Sequence, residues 1–590
     1  MLISNIDWAI IAAFFVVSML IGVITSRQAG KNAKEFFLSG RNMPWWLLGV
    51  SMVATTFSAD TPNLVTDIVR KNGVSGNWVW WAFLLTGMLT VFVYAKLWRR
   101  SKITTDLEFY EIRYGGKPAA FLRAFRALYL GVFFNIVIMA TVSLAAIKIG
   151  GVMLGLTPIQ TMLIASIVTV FYSSLGGLRG VLLTDFFQFF ISIAGSFGAA
   201  WYILQQPEIG SLDALFSNPQ VSDKLNLLPD FSDSTTLIPL LIVPIAVQWW
   251  ATWYPGAEPG GGGYIAQRML SAKDEKNAIG ATLFFNIAHY ALRPWPWIII
   301  ALSSIIVFPE ISDLKVAFPH LPDDKLNDDL AYPAMLTFLP VGLLGIVLAS
   351  LIAAFMSTIS THLNWGSSYV VNDFYVRFIK PDASDKEQVM VGRLSTVLLM
   401  VFAAFLALEL QNALQAFEIL LQIGAGTGLI FILRWFWWRI NAFTEITGMV
   451  VSFVVAIYFE LYHEKLGFEA LLSHEKLLWG VTITSISWIL VTLLTKPEKD
   501  QVLRGFYKLV HPAAYGWKKF LQRNPDIQPE KGQLPFEISL MLAGCITVYC
   551  TLFATGFWIY GNIAAGMVST GVAVAGGLFM LLGWKKMKVD

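Results

Sequence analysis

The stretch Ala354-Phe355-Met356-Ser357-Thr358-Ile359-Ser360-Thr361 sets four hydroxyls inside a long apolar run. Ala354, Ser357, Thr358 and Thr361 fall at i, i+3, i+4 and i+7, so a helix lines them along one face with Ser360 on its flank. Neutral oxygens of this kind suit a hard monovalent cation such as Na⁺, which takes oxygen ligands and must also be able to leave. Ser and Thr equally serve as packing glue between membrane helices, bonding back to carbonyls of their own turn. A second candidate is Asp185, in Leu183-Thr184-Asp185-Phe186-Phe187-Gln188, a lone carboxylate near the inner end of an apolar segment. Acidic groups in such segments are rare and functional by default. The structural alternative is a capping Asp after the turn Gly176-Gly177-Leu178-Arg179-Gly180, paired with Arg179.

Positioning these groups calls for helices that break. Pro44 to Asn63 carries Thr55, Thr56, Ser58, Asp60 and Thr61 just ahead of Pro62. That half is too polar for lipid, so the pattern predicts a helix interrupted at mid-membrane. Its freed carbonyls could coordinate an ion while its polar side chains face a solute. Around five spans later the chain interrupts itself again, in Trp253-Tyr254-Pro255-Gly256-Ala257-Glu258-Pro259-Gly260-Gly261-Gly262-Gly263-Tyr264. Two broken segments in corresponding positions point to an inverted-repeat transporter. The Gly/Pro run also fits a loop between spans. In either case Trp253 and Tyr254 are candidates for stacking on, or gating, a solute.

Composition supplies the setting. Of 590 residues 56% are hydrophobic and 14% charged, and the mean hydropathy is +0.62, which makes this an integral membrane protein. Apolar runs of about 20 residues, long enough for a ~30 Å hydrocarbon core, recur near 6–25, 44–65, 78–98, 119–150, 158–175, 180–204, 237–263, 276–307, 340–368, 391–411, 415–438, 442–460, 475–495, 536–557 and 562–582. Barrel strands would be half that length and alternating, so the expectation is an all-α bundle of about 14–15 spans. The first run lacks a basic leading region and an evident cleavage site, and is read as a retained span. Lys and Arg concentrate in short cytoplasmic loops. With the N-terminus outside, the inner loops carry Arg27, Lys31, Lys34 and Arg41, then Arg99, Arg100 and Lys102, then Arg268 and Lys273, then the basic segment 496–531, and finally Lys585, Lys586 and Lys588. The acidic loops 205–236 and 308–336 fall outside, and the C-terminus inside. A net charge of +3 gives no footprint for nucleic acid. Cys545 and Cys550 share one span and suggest neither a disulfide nor a metal site. The segment Val502–Phe520 is amphipathic and reads as an interfacial helix on the inner leaflet rather than a partner site.

Several strings together resemble the sodium/solute symporter family, whose members carry sugars, proline, sialic acid and iodide. They are Leu38-Ser39-Gly40-Arg41-Asn42-Met43-Pro44-Trp45-Trp46, the turn Leu175-Gly176-Gly177 before Thr184-Asp185, Gln267-Arg268 followed by Ser271-Ala272-Lys273, the Ser/Thr cluster, and Phe436-Trp437-Trp438-Arg439. The resemblance covers nearly the whole length. It implies a five-plus-five inverted-repeat core with discontinuous first and sixth core helices, preceded by an extra N-terminal helix (1–30). The repeats would occupy 44–204 and 237–438, and C-terminal helices 442–590 would follow, with a cytoplasmic amphipathic segment at 496–535. It also implies a primary sodium site on the carbonyls of Ala54, Phe57 and Ala354 and the hydroxyls of Ser357 and Thr358. A second sodium site, present only in some members, would fall on Asp185, Ser360 and Thr361.

The solute site departs from the family's patterns. Thr61 and Trp80 stand where sugar members have a Gln and a Glu, and Asn135 is what a sugar member would show. Arg293 stands where sugar members carry Lys. Thr56, Ser58 and Thr61 match the spacing of sialic acid members, but the Arg those members use for the carboxylate has no equivalent. The aromatic residues Trp78, Trp80, Trp81, Trp249, Trp250, Trp253, Tyr254, Trp295 and Trp297 would suit pyranose faces, or an interfacial belt. Asp60 and Glu418 are candidate partners of Arg293 across the bundle.

The expected function is import of a small organic solute, a sugar or related polyol favoured, driven by one or two Na⁺ ions across a bacterial-type inner membrane. An amino acid or carboxylate solute is the alternative. A different class is a transporter-shaped sensor without net transport, against which the lack of a soluble signalling domain argues. No nucleophile with its base, phosphate loop or metal-ligand set is present, so an enzyme is not expected. Beyond solute, sodium and the bilayer, no obligate protein partner is evident.

Overall fold

The computed structural model describes residues 3–29, 33–252, 258–529 and 532–587, and among them it is helical with no strand; an isolated bridge joins Met43 to Ala272. Among the described residues twelve helices are long and apolar enough to cross a membrane, or 13 if one bent pair counts as a span, and two shorter apolar helices accompany them. In chain order these and the connecting helices are α1 (Asn5–Ala29), α2 (Trp45–Thr56), α3 (Asp60–Asn72), α4 (Val74–Ser101), α5 (Gly116–Leu154), α6 (Pro158–Val170), α7 (Gly177–Ile203) and α8 (Ser234–Ala251). There follow α9 (Gly263–Ser271), α10 (Glu275–Val307), α11 (Leu343–Ile379), α12 (Asp385–Glu409), the bent pair α13 (Phe417–Ile423) and α14 (Gly428–Phe436), α15 (Ala442–Tyr462), α16 (Ser473–Leu494), α17 (Asp500–Val510), α18 (Leu534–Ile559) and α19 (Ile563–Trp584). Each of the fifteen apolar runs has a counterpart here. The runs at 44–65 and 158–175 are represented by short helices, because polarity or glycine interrupts them.

The first interruption, and the described part of the second from residue 258 on, lie inside the bundle. Helix α2 stops at Thr56, and Phe57 leaves helical geometry at φ −82°, ψ 60°, its amide donating to the carbonyls of Val53 (2.7 Å) and Ala54 (3.2 Å). Pro62 has no amide hydrogen to give, and in the first turn of α3 none is needed. Helix α8 ends before extended Thr252. On the far side of the second break Gly260 (φ 86°) and Gly261 (φ 87°) adopt the left-handed backbone that side chains disfavour. A Cβ on Gly261 would stand 2.6 Å from Met269 Cε. The Gly260 carbonyl accepts from Trp98 Nε1 (2.7 Å), and the Gly263 amide donates to Asp106 Oδ2 (2.9 Å), so this run is buried rather than a surface loop.

Charged pairs and caps close the ends of the bundle. Lys148 on α5 is buried against Asp329 (2.5 Å), and Arg70 on α3 meets Asp328 (2.8 Å), so part of the acidic 308–336 loop neutralises cations at helix ends. Asp7 on α1 accepts from the amides of Gly342 (2.7 Å) and Gly345 (2.8 Å), capping α11 from another helix. Asp7→Ala leaves those donors unpaired and should lower stability by about 1–3 kcal/mol. Thermal unfolding in detergent measures the loss, and Na⁺ dependence of uptake should not change.

The segment read from sequence as an interfacial helix packs against protein instead. Leu503, Phe506, Tyr507, Val510, Trp517 and Phe520 are buried, and Trp517 Nε1 donates to the Trp435 carbonyl (3.0 Å). Helical spacing of apolar residues marks a face that must be covered, and lipid and protein cover it equally well.

Candidate ion and solute site

Helices α2, α7, α9 and α11 converge on Asp185. The turn before α7 is made at Gly177 (φ 54°), which brings Asp185 back into the bundle, where it is fully buried rather than at the end of a span. One carboxylate oxygen accepts from Ser51 Oγ (2.5 Å) and the other from Ser357 Oγ (2.5 Å). Arg268 on α9 completes the cluster, with Nη2 3.8 Å from Asp185 and 2.9 Å from Thr361 Oγ1. Its Nε and Nη2 also reach Ser51 Oγ at 3.3 and 3.2 Å. The charge partner of Asp185 is therefore Arg268, and not Arg179 as the turn suggested. Arg268 itself, counted with Lys273 as a loop cation, is fully buried, while Lys273 is exposed.

The last turn of α2 meets the hydroxyl cluster of α11 through Thr55: Thr358 Oγ1 donates to the Thr55 carbonyl (2.7 Å), and Thr55 and Thr361 share a hydroxyl contact of 3.2 Å. Ser360 Oγ turns back to the Ser357 carbonyl (3.1 Å). The protons of Ser357 and Thr358 are thus spent on Asp185 and Thr55. A hydroxyl that has donated keeps its lone pairs, and lone pairs are what a cation takes.

Beside this cluster lies a cavity of about 170 Å³, bordered by α2, α3, α4, α5, α9, α10 and α11. Thr56, Ser58, Asp60, Thr61, Trp80 and Arg293 all line it. So do Glu258, Tyr264, Asn286, His289, Tyr290 and His362, which motif reading did not single out. A charge or imidazole in an apolar run was the available signal for Glu258 and His289; nothing local marks Asn286. Trp80 stacks on Tyr290 (centroids 5.8 Å apart, 23°), and His289 Nδ1 contacts Thr56 Oγ1 (3.1 Å) and the Arg293 guanidinium. Arg293 lies over Trp297 (5.3 Å) and Phe57 (5.9 Å).

Other candidates stand elsewhere. Asn135 does not border the cavity; it clamps α5 to α11, with Nδ2 donating to the His362 carbonyl (2.7 Å) and Oδ1 facing His362 Nδ1 (2.7 Å). Glu418 accepts from Ser473 (3.0 Å) between α13 and α16, away from Arg293. Trp78 and Trp295 bond the carbonyls of Leu227 (3.0 Å) and Leu552 (3.1 Å) and serve packing. Trp253 and Tyr254 lie outside the described residues.

The family model of the sodium:solute symporters matches residues 36–452, which span both breaks, Asp185, Arg268 and the α11 hydroxyls. The chain belongs to the sodium:solute symporter family. Among curated proteins it is 27% identical to the sodium/glucose cotransporter of Vibrio parahaemolyticus, over 84% of this chain and 92% of that one. It is 24% identical to the sodium/sialic acid symporter of Proteus mirabilis (strain HI4320), over 83% and 95%. Its fold matches the substrate-bound, outward-open structure of a Na⁺-coupled sialic acid symporter with a TM-score of 0.67, at 22% identity over 84% of this chain and 99% of that one. As a symporter of this family the chain is a multi-pass membrane protein built on a discontinuous-helix core.

Proposed function

We propose that this symporter imports a neutral polyhydroxylated solute, a sugar or related polyol, together with Na⁺. The observation that carries this reading is a set of cavity-lining residues that each keep a buried polar atom without a hydrogen-bond partner: Ser58 Oγ, Asp60 Oδ1, Asn286 Oδ1 and Arg293 Nη1. They comprise a cationic donor, two acceptors and a hydroxyl, beside the Trp80–Tyr290 ring pair. A sugar hydroxyl both donates and accepts, so adjacent hydroxyls can satisfy all four while a pyranose face meets an aromatic ring. Asp60 and Arg293 cancel in charge, so a neutral solute leaves none unpaired, whereas an acidic one would add an uncompensated anion to a desolvated site. Relatives named for glucose and for sialic acid support a sugar-like solute.

In this reading the carbonyls of Ala54, Phe57 and Ala354 and the hydroxyls of Ser357 and Thr358 hold the primary ion. A second ion at Asp185, Ser360 and Thr361 must share Asp185 and Thr361 with the Arg268 guanidinium. Membrane orientation follows loop charge: N-terminus outside and C-terminus in the cytoplasm of a bacterial-type cell. The five-helix repeats are assigned to 44–204 and 237–438.

The test is stabilisation of purified protein by neutral sugars, sugar acids and amino acids, each with and without Na⁺, since ligands raise apparent stability by mass action. Neutral sugars should stabilise in a Na⁺-dependent way. Stabilisation by sugar acids or amino acids alone would overturn the neutral assignment. Arg293→Met should weaken solute binding by about 10- to 100-fold, the worth of a hydrogen bond to a charged group. Na⁺ binding without solute should persist; equal loss of both would mark Arg293 as structural.

A further inference from the structure

Behind one wall of the cavity, at Glu258, lies a buried ion-pair cluster. Glu258, on the second broken segment, lines the cavity and is almost fully buried. Its Oε1 accepts from Arg126 Nη2 on α5 (2.6 Å), and its Oε2 stands 3.9 Å from Arg434 Nη2 on α14. Arg434 also lies 3.7 Å from Glu445 on α15 and donates to Tyr110 Oη (3.1 Å), and Glu445 accepts from Tyr114 Oη (2.7 Å). Phe431 packs on both guanidiniums, at 5.0 and 4.8 Å. With Asp106 and Arg113 beside them, three arginines and three acidic groups balance in this buried cluster. They come from the first half of the core, the second half and the helix that follows it. Arg434 lies over the Trp98 ring (6.0 Å), in the last turn of α4, which leads through Arg99 to Lys102.

We propose that the Glu258–Arg126–Arg434 cluster is the cytoplasmic gate of this transporter, an ion-pair lock that must part for solute to leave inward. The proposal rests on the transport reading above, but on no particular solute. Breaking one partner of a buried pair is costly, whereas parting both sides into water recovers their hydration, so such a lock has two distinct states rather than a continuum. Glu258 is also well placed to sense the ion cluster. It stands just ahead of α9, the short helix whose Arg268 touches Asp185, so displacement of Arg268 would move the segment that carries Glu258.

Reagent access tests this without transport. In a background with Cys545→Ser and Cys550→Ser, Thr90→Cys places a thiol on the cavity wall next to Gly261. Inside-out vesicles are treated with a membrane-impermeant maleimide in Na⁺ buffer. Glu258→Gln should speed labelling about tenfold, the effect of a shift of about 1.4 kcal/mol between closed and open states. Arg126→Met should do the same, since it removes the other half of the contact. Both variants must still be stabilised by Na⁺ in thermal unfolding, which shows that they fold. Labelling at the parent rate in folded Glu258→Gln, or acceleration in one variant only, overturns the lock. Loss of Na⁺ stabilisation from the unmodified protein would instead overturn the sodium-site reading and leave the gate result standing.

Discussion

Removing both hydroxyls in Ser357→Ala, Thr358→Ala is expected to raise the Na⁺ concentration for half-maximal uptake by at least about 100-fold, each being worth roughly the 1.5–3 kcal/mol of a hydrogen bond to a charged group. The geometry argues for lost ligands rather than lost packing. Each side chain spends its proton on a fixed acceptor, Asp185 at 2.5 Å and the Thr55 carbonyl at 2.7 Å, which aims the remaining lone pairs. Either single variant should show about a tenfold rise. Uptake against Na⁺ in reconstituted vesicles measures the effect. Unchanged Na⁺ dependence in the double variant would remove this pair from the ion site.

The second large effect belongs to Asp185→Asn, and it has two separable parts. Asp185 is fully buried with Arg268, so neutralising it leaves a guanidinium without its counter-charge at a cost of about 3–5 kcal/mol. A second Na⁺ held by Asp185, Ser360 and Thr361 would also lose its only formal anion. The Hill slope for Na⁺ should fall from near two toward one, and the attainable solute gradient should shrink by ~2.3 kcal/mol per 100 mV of potential. Combining Asp185→Asn with Arg268→Met removes both charges and should recover most of the stability while leaving the ion-to-solute flux ratio at one. If the ratio of ²²Na⁺ to labelled solute is the same in parent and variants, a single ion drives transport and the Asp185 cluster is structural.

Much of this architecture was legible because membrane physics writes it into composition. Spans announce themselves by length, and breaks by Pro62 and the Gly260–Gly263 run. The α11 hydroxyls declare themselves through helical spacing. What stayed hidden was pairing across the bundle. Arg268 lies close to Lys273 and so counted as a loop cation, although α9 carries it inward to Asp185. Asn135 matched a family position, yet its amide is consumed by His362. The nine aromatic candidates share a composition but not a fate: Trp80 meets the cavity, while Trp78 and Trp295 hold backbone carbonyls. Residue type states what a group can bond; only the fold decides which bonds are already taken.

The docked segment 502–520 bears on the order in which the molecule can be built. Arg113, which precedes α5, donates to the carbonyls of Arg434 (2.8 Å) and Trp437 (3.0 Å), and its guanidinium lies within 5.3 Å of the ring centres of Phe506 and Trp517. Tyr549 on α18 reaches back to the Trp81 carbonyl (2.8 Å). Early spans therefore enter the bilayer with partners that the ribosome has yet to make, and a polypeptide released before residue 506 lacks both Phe506 and Trp517, leaving Tyr114 alone over Arg113. Final compaction of the first helices is a late event in biosynthesis, and nascent chains stalled between α16 and α17 should be the form most exposed to membrane quality-control proteases.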